Sequence, residues 1–175
     1  MQASALILGL FLALPFQIAQ AAEFLNQVPI SDFHQVTQHI SRGARPHKIG
    51  LEALAKMGVK TVLNIDNDKS EIAIETKNAK SLGLRMISLP MSGFWKPKDA
   101  QVEKILVALR NPANYPLFIH CKHGHDRTGL IMGLYRIQEN NWPAQEAYAE
   151  MLQLGFHKQL VFLDHYFKQK SGLYE

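Results

Sequence analysis

The sequence predicts an α/β fold: a central, mostly parallel sheet flanked by helices, with further helices at the C-terminus. Two observations carry this. From residue 50 to residue 120, short apolar runs alternate with amphipathic stretches, the pattern of strands joined by crossover helices. After residue 126 only helical patterns follow, which gives a helical cap rather than more sheet.

The elements follow in order. Residues 1–21 do not read as part of the fold. Residues 5–14 form an apolar core too short to span a bilayer. Pro15 follows, then Ala19-Gln20-Ala21, a small-x-small cleavage pattern. The expectation is a signal peptide cut after Ala21, which leaves 22–175 as a single domain. The terminal amine is the only positive charge ahead of the apolar core, so an uncleaved anchor or a buried helix is the competing reading. Residues 23–40 are weakly periodic and read as irregular, and 41–46 as a polar turn. A short helix over 50–57 puts Leu51, Leu54 and Ala55 on one face and ends near Gly58. The strand 59–65 is apolar enough for burial on both sides. Asp68 and Glu71 have capping-box spacing ahead of a helix 69–82. A strand over 84–89 follows, and then a loop, 90–99, with two prolines, a glycine, Phe94 and Trp95. Val102, Ile105, Leu106 and Leu109 mark the next helix.

A strand at 116–120 leads into His120-Cys121-Lys122-His123-Gly124-His125-Asp126-Arg127-Thr128-Gly129. The helix after this loop, 127–140, is apolar almost all round and so is expected to be buried. The last two helices are expected at 143–152, with Pro143 at its first position, and at 157–168. Trp142 reads as a packing residue.

The loop between buried strand and buried helix presents backbone N–H groups at a helix N-terminus, a ready anion site. A cysteine begins it and an arginine ends it. Arginine holds two oxygens of a phosphate at once, and the sulfur would lie beneath the phosphorus. Cys121 is the one cysteine of 175 residues, so no disulfide forms within the chain. Lone thiols are usually small buried hydrophobes, but this one stands among His120, Lys122, His123, His125 and Arg127, a setting for a reactive thiolate. The net charge of +4 is mild, and no basic run is dense enough for nucleic acid.

His120-Cys121, five residues, then Arg127-Thr128-Gly129 resembles the signature loop of cysteine-dependent phosphatases of the tyrosine/dual-specificity superfamily. Arg42-Gly43-Ala44-Arg45-Pro46, with the helix and strand after it, resembles the compact dual-specificity branch. The likeness runs from about Arg42 to Phe167. It implies a dual-specificity-phosphatase-like fold and a phosphocysteine intermediate. Cys121 is then the nucleophile, Arg127 the transition-state clamp and Thr128 the donor to the leaving sulfur. His120 is a structural hydrogen-bonder, and no cofactor or metal is needed. The family's usual acid is an aspartate in an upstream loop, but that register falls on Met91, Ser92 and Gly93. The remaining carboxylates are Asp99, which equally suits the N-cap of a helix beginning near Ala100, and Asp126. Asp126 matches the loop aspartate of myotubularin-like and some bacterial lipid phosphatases, and is the expected acid; its structural role would be to brace the loop.

Lys122, His123, Gly124, His125, Asp126 and Arg127 are the expected substrate-binding set. The extra basic side chains suit a ligand with several phosphates, as in tyrosine-phosphatase-like inositol polyphosphatases (phytases). Arg45, His47, Lys48, Lys96 and Lys98 are candidates for the rim. The partner is a phosphorylated small molecule or a phosphoprotein, with no nucleic acid and no stable membrane association after signal cleavage. The expected location is the bacterial periplasm or secretion. Competing readings are a protein phosphatase, a non-catalytic phosphate-binding module, and a metal site at His120, Cys121, His123, His125 and Asp126, whose spacing matches no common zinc arrangement.

Overall fold

The computed structural model describes residues 28–174, so the expected leader lies outside the described residues. The strands are β1 (His34–Gln35), β2 (Ile40–Gly43), β3 (Thr61–Asn64), β4 (Arg85–Ser88) and β5 (Leu117–His120). The helices are α1 (Lys48–Lys56), α2 (Lys69–Ser81), α3 (Asp99–Arg110), α4 (Asp126–Asn140), α5 (Ala144–Gln153) and α6 (Val161–Ser171). The five strands form one sheet in the order β1-β2-β5-β3-β4. Only the β1–β2 pair is antiparallel. The fold is thus α/β with a mostly parallel sheet, as expected.

Strand β5 lies between β2 and β3, and its last residue, His120, stands level with Gly43 on one side and Asn64 on the other. All three strands are buried along their length. Successive side chains point to opposite faces, and the core divides accordingly. Val62 and Phe118 pack with Leu51, Leu54 and Ala79 under α1 and α2. Leu63, Leu117 and Ile119 pack with Val102, Ile105, Ile131, Met151 and Phe167 under α3 to α6. Gly133 lets α4 approach its neighbours: an added Cβ would lie 2.5 Å from Met151 Sδ and 2.8 Å from Phe167.

The structure differs from expectation at several places, among them β1, which lies in the segment read as irregular. Residues 40–43, read as part of an irregular segment and a polar turn, form β2. Ser41 and Arg42 are buried there, so no apolar run betrays the strand; its hydrogen-bonded neighbours define it. Pro143 is the N-cap of α5, in extended conformation, rather than its first helical residue. Asp99 is the first residue of α3, whose N-cap is Lys98. The last helix begins at Val161, not His157. Gly155, with φ of 84°, turns the chain out of α5, and 156–160 cross to the loop after β5 before helix resumes. Asp68 caps α2 as its spacing suggested, accepting from the N–H of Ser70 and Glu71. Glu71 does not reciprocate; it pairs with Arg45 at 3.2 Å. Trp142 packs beneath the Arg136 guanidinium, 4.4 Å from its ring centre.

Candidate active site

The C-terminal ends of parallel strands are where an open α/β sheet binds ligands, and the loop after β5 lies there. Cys121 follows β5 directly, and α4 begins at Asp126. The loop is fixed from beneath. His120 is fully buried, and its Nδ1 lies 3.2 Å from the Cys121 carbonyl. Its Nε2 pairs with Glu75 Oε1 at 2.7 Å. Asn64 Nδ2 donates to the other Glu75 oxygen at 2.5 Å, and Asn64 Oδ1 accepts from the Asp66 N–H at 2.7 Å. A buried polar chain therefore ties α2, the end of β3 and the start of the loop together. It also explains why α2 buries Glu75 while Ile74 beside it is 56 % exposed.

From the side, Arg42 Nη2 donates to the Gly124 carbonyl at 2.7 Å. Burial pushes the Arg42 guanidinium down to about 10, against the opposing charges of Glu150 and Cys121. Gly124, at φ of 81°, lies against β2: a Cβ there would be 2.5 Å from the Gly43 carbonyl carbon. The Arg45 N–H donates to the Lys122 carbonyl at 3.3 Å.

Arg127 is buried, and its Nη1 donates to Asn67 Oδ1 at 2.8 Å, Asp66 Oδ1 at 3.2 Å and the Met91 carbonyl at 3.3 Å. Asp66 in turn accepts from Arg45 Nη2 at 2.5 Å and from Nε at 3.1 Å. Burial alone would raise the Asp66 carboxyl. The Arg45 hydrogen bonds, the Arg127 charge and the Asn67 N–H outweigh it and hold the carboxyl below the usual range. The guanidinium is thus gripped along one edge by the loop after β3, a geometry that fixes its direction before any anion arrives.

Met91, Ser92 and Gly93 occupy the register of the absent upstream acid, and each has a structural task. Met91 is fully buried and offers its carbonyl to Arg127. The Ser92 hydroxyl accepts from the N–H of Phe94 and of Trp95. Gly93 passes over Arg127, where a Cβ would lie 3.4 Å from Nε.

These elements enclose a cleft of 790 Å³ lined by Cys121, Lys122, His123, Asp126 and Arg127, with Asp66, Asn67, Phe94, His157 and Leu160 around them. Cys121 and Arg127 therefore face one space, as the loop pattern required. Lys122 and His123 are exposed along it. His125 is turned aside: its Nε2 lies 2.9 Å from Asp32 Oδ2, and its ring packs under Gly155. Thr128 is buried at the helix start, and among the described residues its hydroxyl has no hydrogen-bond partner. Asp126 Oδ1 accepts from the His157 N–H at 2.8 Å and lies 3.0 Å from His157 Nδ1. Asp99 is elsewhere: it accepts from Tyr166 at 2.9 Å and from Lys170 at 2.7 Å, joining α3 to α6.

Of the proposed rim, Arg45 serves Asp66, Lys96 Nζ reaches Gln169 at 3.2 Å, and Lys98 lines a separate depression with Leu89 and Pro90. Trp95 stands against Phe162 of α6 at 5.7 Å between ring centres. The side chains that a metal site would need are drawn apart, His120 to Glu75, His125 to Asp32 and Asp126 to His157. Among the described residues no group of three or more His, Cys, Asp or Glu could hold a metal ion. Asp66, Asn67, Glu75 and His157 were not legible as site residues. For Asp66 a signal existed, since it follows a buried parallel strand; for His157 nothing local marks it.

The family described as DSP-PTPase phosphatase fused to NAD+ kinase matches residues 25–165. The dual specificity protein phosphatase TpbA of Pseudomonas aeruginosa is 30 % identical over 131 residues, 73 % of this chain and 56 % of the relative. The inositol diphosphatase SIW14 of Saccharomyces cerevisiae is 28 % identical over 137 residues, 75 % of this chain and 48 % of the relative. The chain spans about half the length of these relatives. The crystal structure of the core catalytic domain of SIW14, a PP-IP phosphatase, in complex with citrate aligns with a TM-score of 0.68 at 25 % identity. That alignment covers 82 % of this chain and 90 % of the other.

Proposed function

Since the chain belongs to the DSP-PTPase phosphatase family, whose members use a cysteine, we propose that it hydrolyses phosphomonoesters through a phosphocysteine on Cys121. The observation that carries this reading is the shared cleft: Cys121 and Arg127 line one space at the start of α4. In the first step Cys121 Sγ bonds to phosphorus and the ester oxygen leaves, taking a proton from the Asp126 side of the cleft. Arg127, held along one edge by Asp66 and Asn67, binds the equatorial oxygens as charge spreads over them. In the second step water attacks phosphorus, the P–S bond breaks, and Thr128 donates to the departing sulfur.

The preferred substrate in this proposal is a small ligand with several phosphates, an inositol polyphosphate. Lys122 and His123 are exposed along the cleft beside the reacting cysteine, which favours charge beyond a single phosphate. His125 contributes less than its place in the loop suggests, because Asp32 holds it. The likeness to a protein named as an inositol diphosphatase supports the same class. A second reading, phosphotyrosine, rests on Phe94 and Leu160 in the wall, which suit an aryl ring, and on the likeness to a protein named as a dual specificity protein phosphatase.

The test compares kcat/KM on phytate and on a phosphotyrosyl peptide at low salt, with Cys121→Ser beside the wild type. The expected result is preference for phytate and no turnover by the variant. A strong preference for the peptide would move the assignment to the protein phosphatases. Phosphate binding without Cys121-dependent hydrolysis of an aryl phosphate would make the domain a binding module.

A further inference from the structure

Three carboxylates line the cleft, Asp66, Asp68 and Asp126, and each is already engaged as an acceptor. Asp66 takes hydrogen bonds from Arg45 and Arg127. Asp68 caps α2 and takes the Ser70 hydroxyl at 2.6 Å. Asp126 takes the backbone N–H of His157 and faces its ring Nδ1, both through Oδ1. A carboxylate only accepts, so a hydrogen bond across the 3.0 Å contact to a carboxylate Asp126 would place a proton on His157 Nδ1. Nε2 then lies on the far side of the ring, and among the described residues no hydrogen bond engages it.

His157 lines the same cleft as Cys121 and Arg127, and its side chain is 62 % exposed. The ring is nonetheless held in place. The His157 backbone N–H donates to Asp126 Oδ1, its backbone carbonyl accepts from the Leu160 N–H at 2.9 Å, and the His125 ring stands 6.1 Å away, itself paired with Asp32. A carboxylate bound to one imidazole nitrogen fixes the ring and supports positive charge on it while the other nitrogen works as acid or base.

The geometry points to His157 as the proton donor to the leaving oxygen, with Asp126 as the positioning residue that holds its ring. This rests on the phosphatase reading and deepens it: the proton given from the Asp126 side of the cleft comes from His157 Nε2. In the first step Cys121 Sγ bonds to phosphorus, and the P–O bond breaks with its electron pair going to oxygen. The proton of imidazolium Nε2 passes to that oxygen, and the alcohol leaves a phosphocysteine and a neutral ring. In the second step a water oxygen bonds to phosphorus and gives one proton back to Nε2. The P–S bond breaks with its electron pair going to Cys121, releasing hydrogen phosphate.

The test is leaving-group dependence of kcat/KM in wild type, His157→Gln and Asp126→Asn. The substrates are p-nitrophenyl phosphate, whose phenolate leaves unaided, and an alkyl phosphate, whose alkoxide does not. His157→Gln should lose ~100-fold or more on the alkyl ester and less than ~5-fold on the nitrophenyl ester, the signature of a lost general acid. Asp126→Asn should show the same pattern more weakly, and the double variant should be no worse than His157→Gln alone. Retained nitrophenyl ester turnover reports that each variant is folded. Equal losses on both esters, no loss on either, or a leaving-group effect in Asp126→Asn alone would overturn the assignment. Absence of Cys121-dependent turnover in the wild type would overturn the phosphatase reading itself, and this assignment with it.

Discussion

At the scale of single residues, Asp66 joins Arg45 to Arg127 in the wall of the cleft. Its carboxyl is held below the ordinary range once the arginines have outweighed burial. A carboxyl lowered on folding adds stability above its unfolded value of ~3.9. That contribution is lost as pH falls through the lower folded value. Asp66→Asn should therefore flatten the acid limb of a plot of Tm against pH while changing its neutral plateau. Melts of both proteins from neutral to strongly acid pH check this, and parallel acid limbs would contradict it. The same variant frees one edge of Arg127, and misaligning a transition-state clamp costs roughly 10–100-fold in kcat/KM, measurable on an aryl phosphate. Asp99 makes the contrast. Its carboxyl is lowered by hydrogen bonds from Lys170 and Tyr166, but these lie outside the cleft, so Asp99→Asn should leave turnover of the same ester close to wild type.

At the scale of elements, the loop between β5 and α4 depends on how closely it lies on β2. Gly124 combines a positive φ with backbone contact: a Cβ would meet the Gly43 carbonyl carbon at 2.5 Å and the Ala44 nitrogen at 2.7 Å. Neither is a side chain that can rotate away. Gly124→Ala should cost more than about 2 kcal/mol, the sum of left-handed strain and overpacking, and should lower aryl phosphate turnover at least tenfold. Gly172 serves as control. Its φ is 73°, but nothing lies within 4 Å of an added Cβ, so Gly172→Ala should cost only about 1 kcal/mol of strain. Urea denaturation of the two variants reads the difference, and equal midpoints would refute the packing argument. The turn at 154–160 is the second element that matters. α6 begins only at Val161, and His157, in the turn before it, meets Asp126 through both its backbone N–H and its ring.

At the scale of the whole molecule, the sheet order brings distant parts of the chain to one edge. With β5 between β2 and β3, the loops after β3 and β5 supply Asp66, Asn67 and Cys121 to one cleft, while Arg42 of β2 and Arg45 beyond it brace the Gly124 carbonyl and Asp66. No helix among the described residues is long and apolar enough to cross a membrane. For the N-terminal segment, which lies outside the described residues, we expect export with cleavage after Ala21. N-terminal sequencing of protein recovered from the periplasm of an expressing bacterium should begin at Ala22, and recovery with an intact Met1 would speak for an uncleaved anchor.

The sequence by itself determined the α/β class, the order of nearly all the elements and the place of the loop that carries Cys121 and Arg127, between a buried strand and a buried helix. These rest on local signals: hydrophobic period, cap spacing, and two reactive residue types on one loop. Tertiary structure decided the rest. Strand β2 has no apolar run and is a strand because its neighbours pair with it. The loop pattern favoured Asp126 over Asp99, and the packing of α3 on α6 holds Asp99 on Tyr166 and Lys170, outside the cleft. His125 sits in the middle of the loop yet is drawn aside by Asp32, whereas His157, thirty-one positions beyond Asp126, is brought to it. Proton transfer depends on distance and direction through space. Sequence spacing encodes those within one helix or turn, and not between elements that meet only when the chain folds.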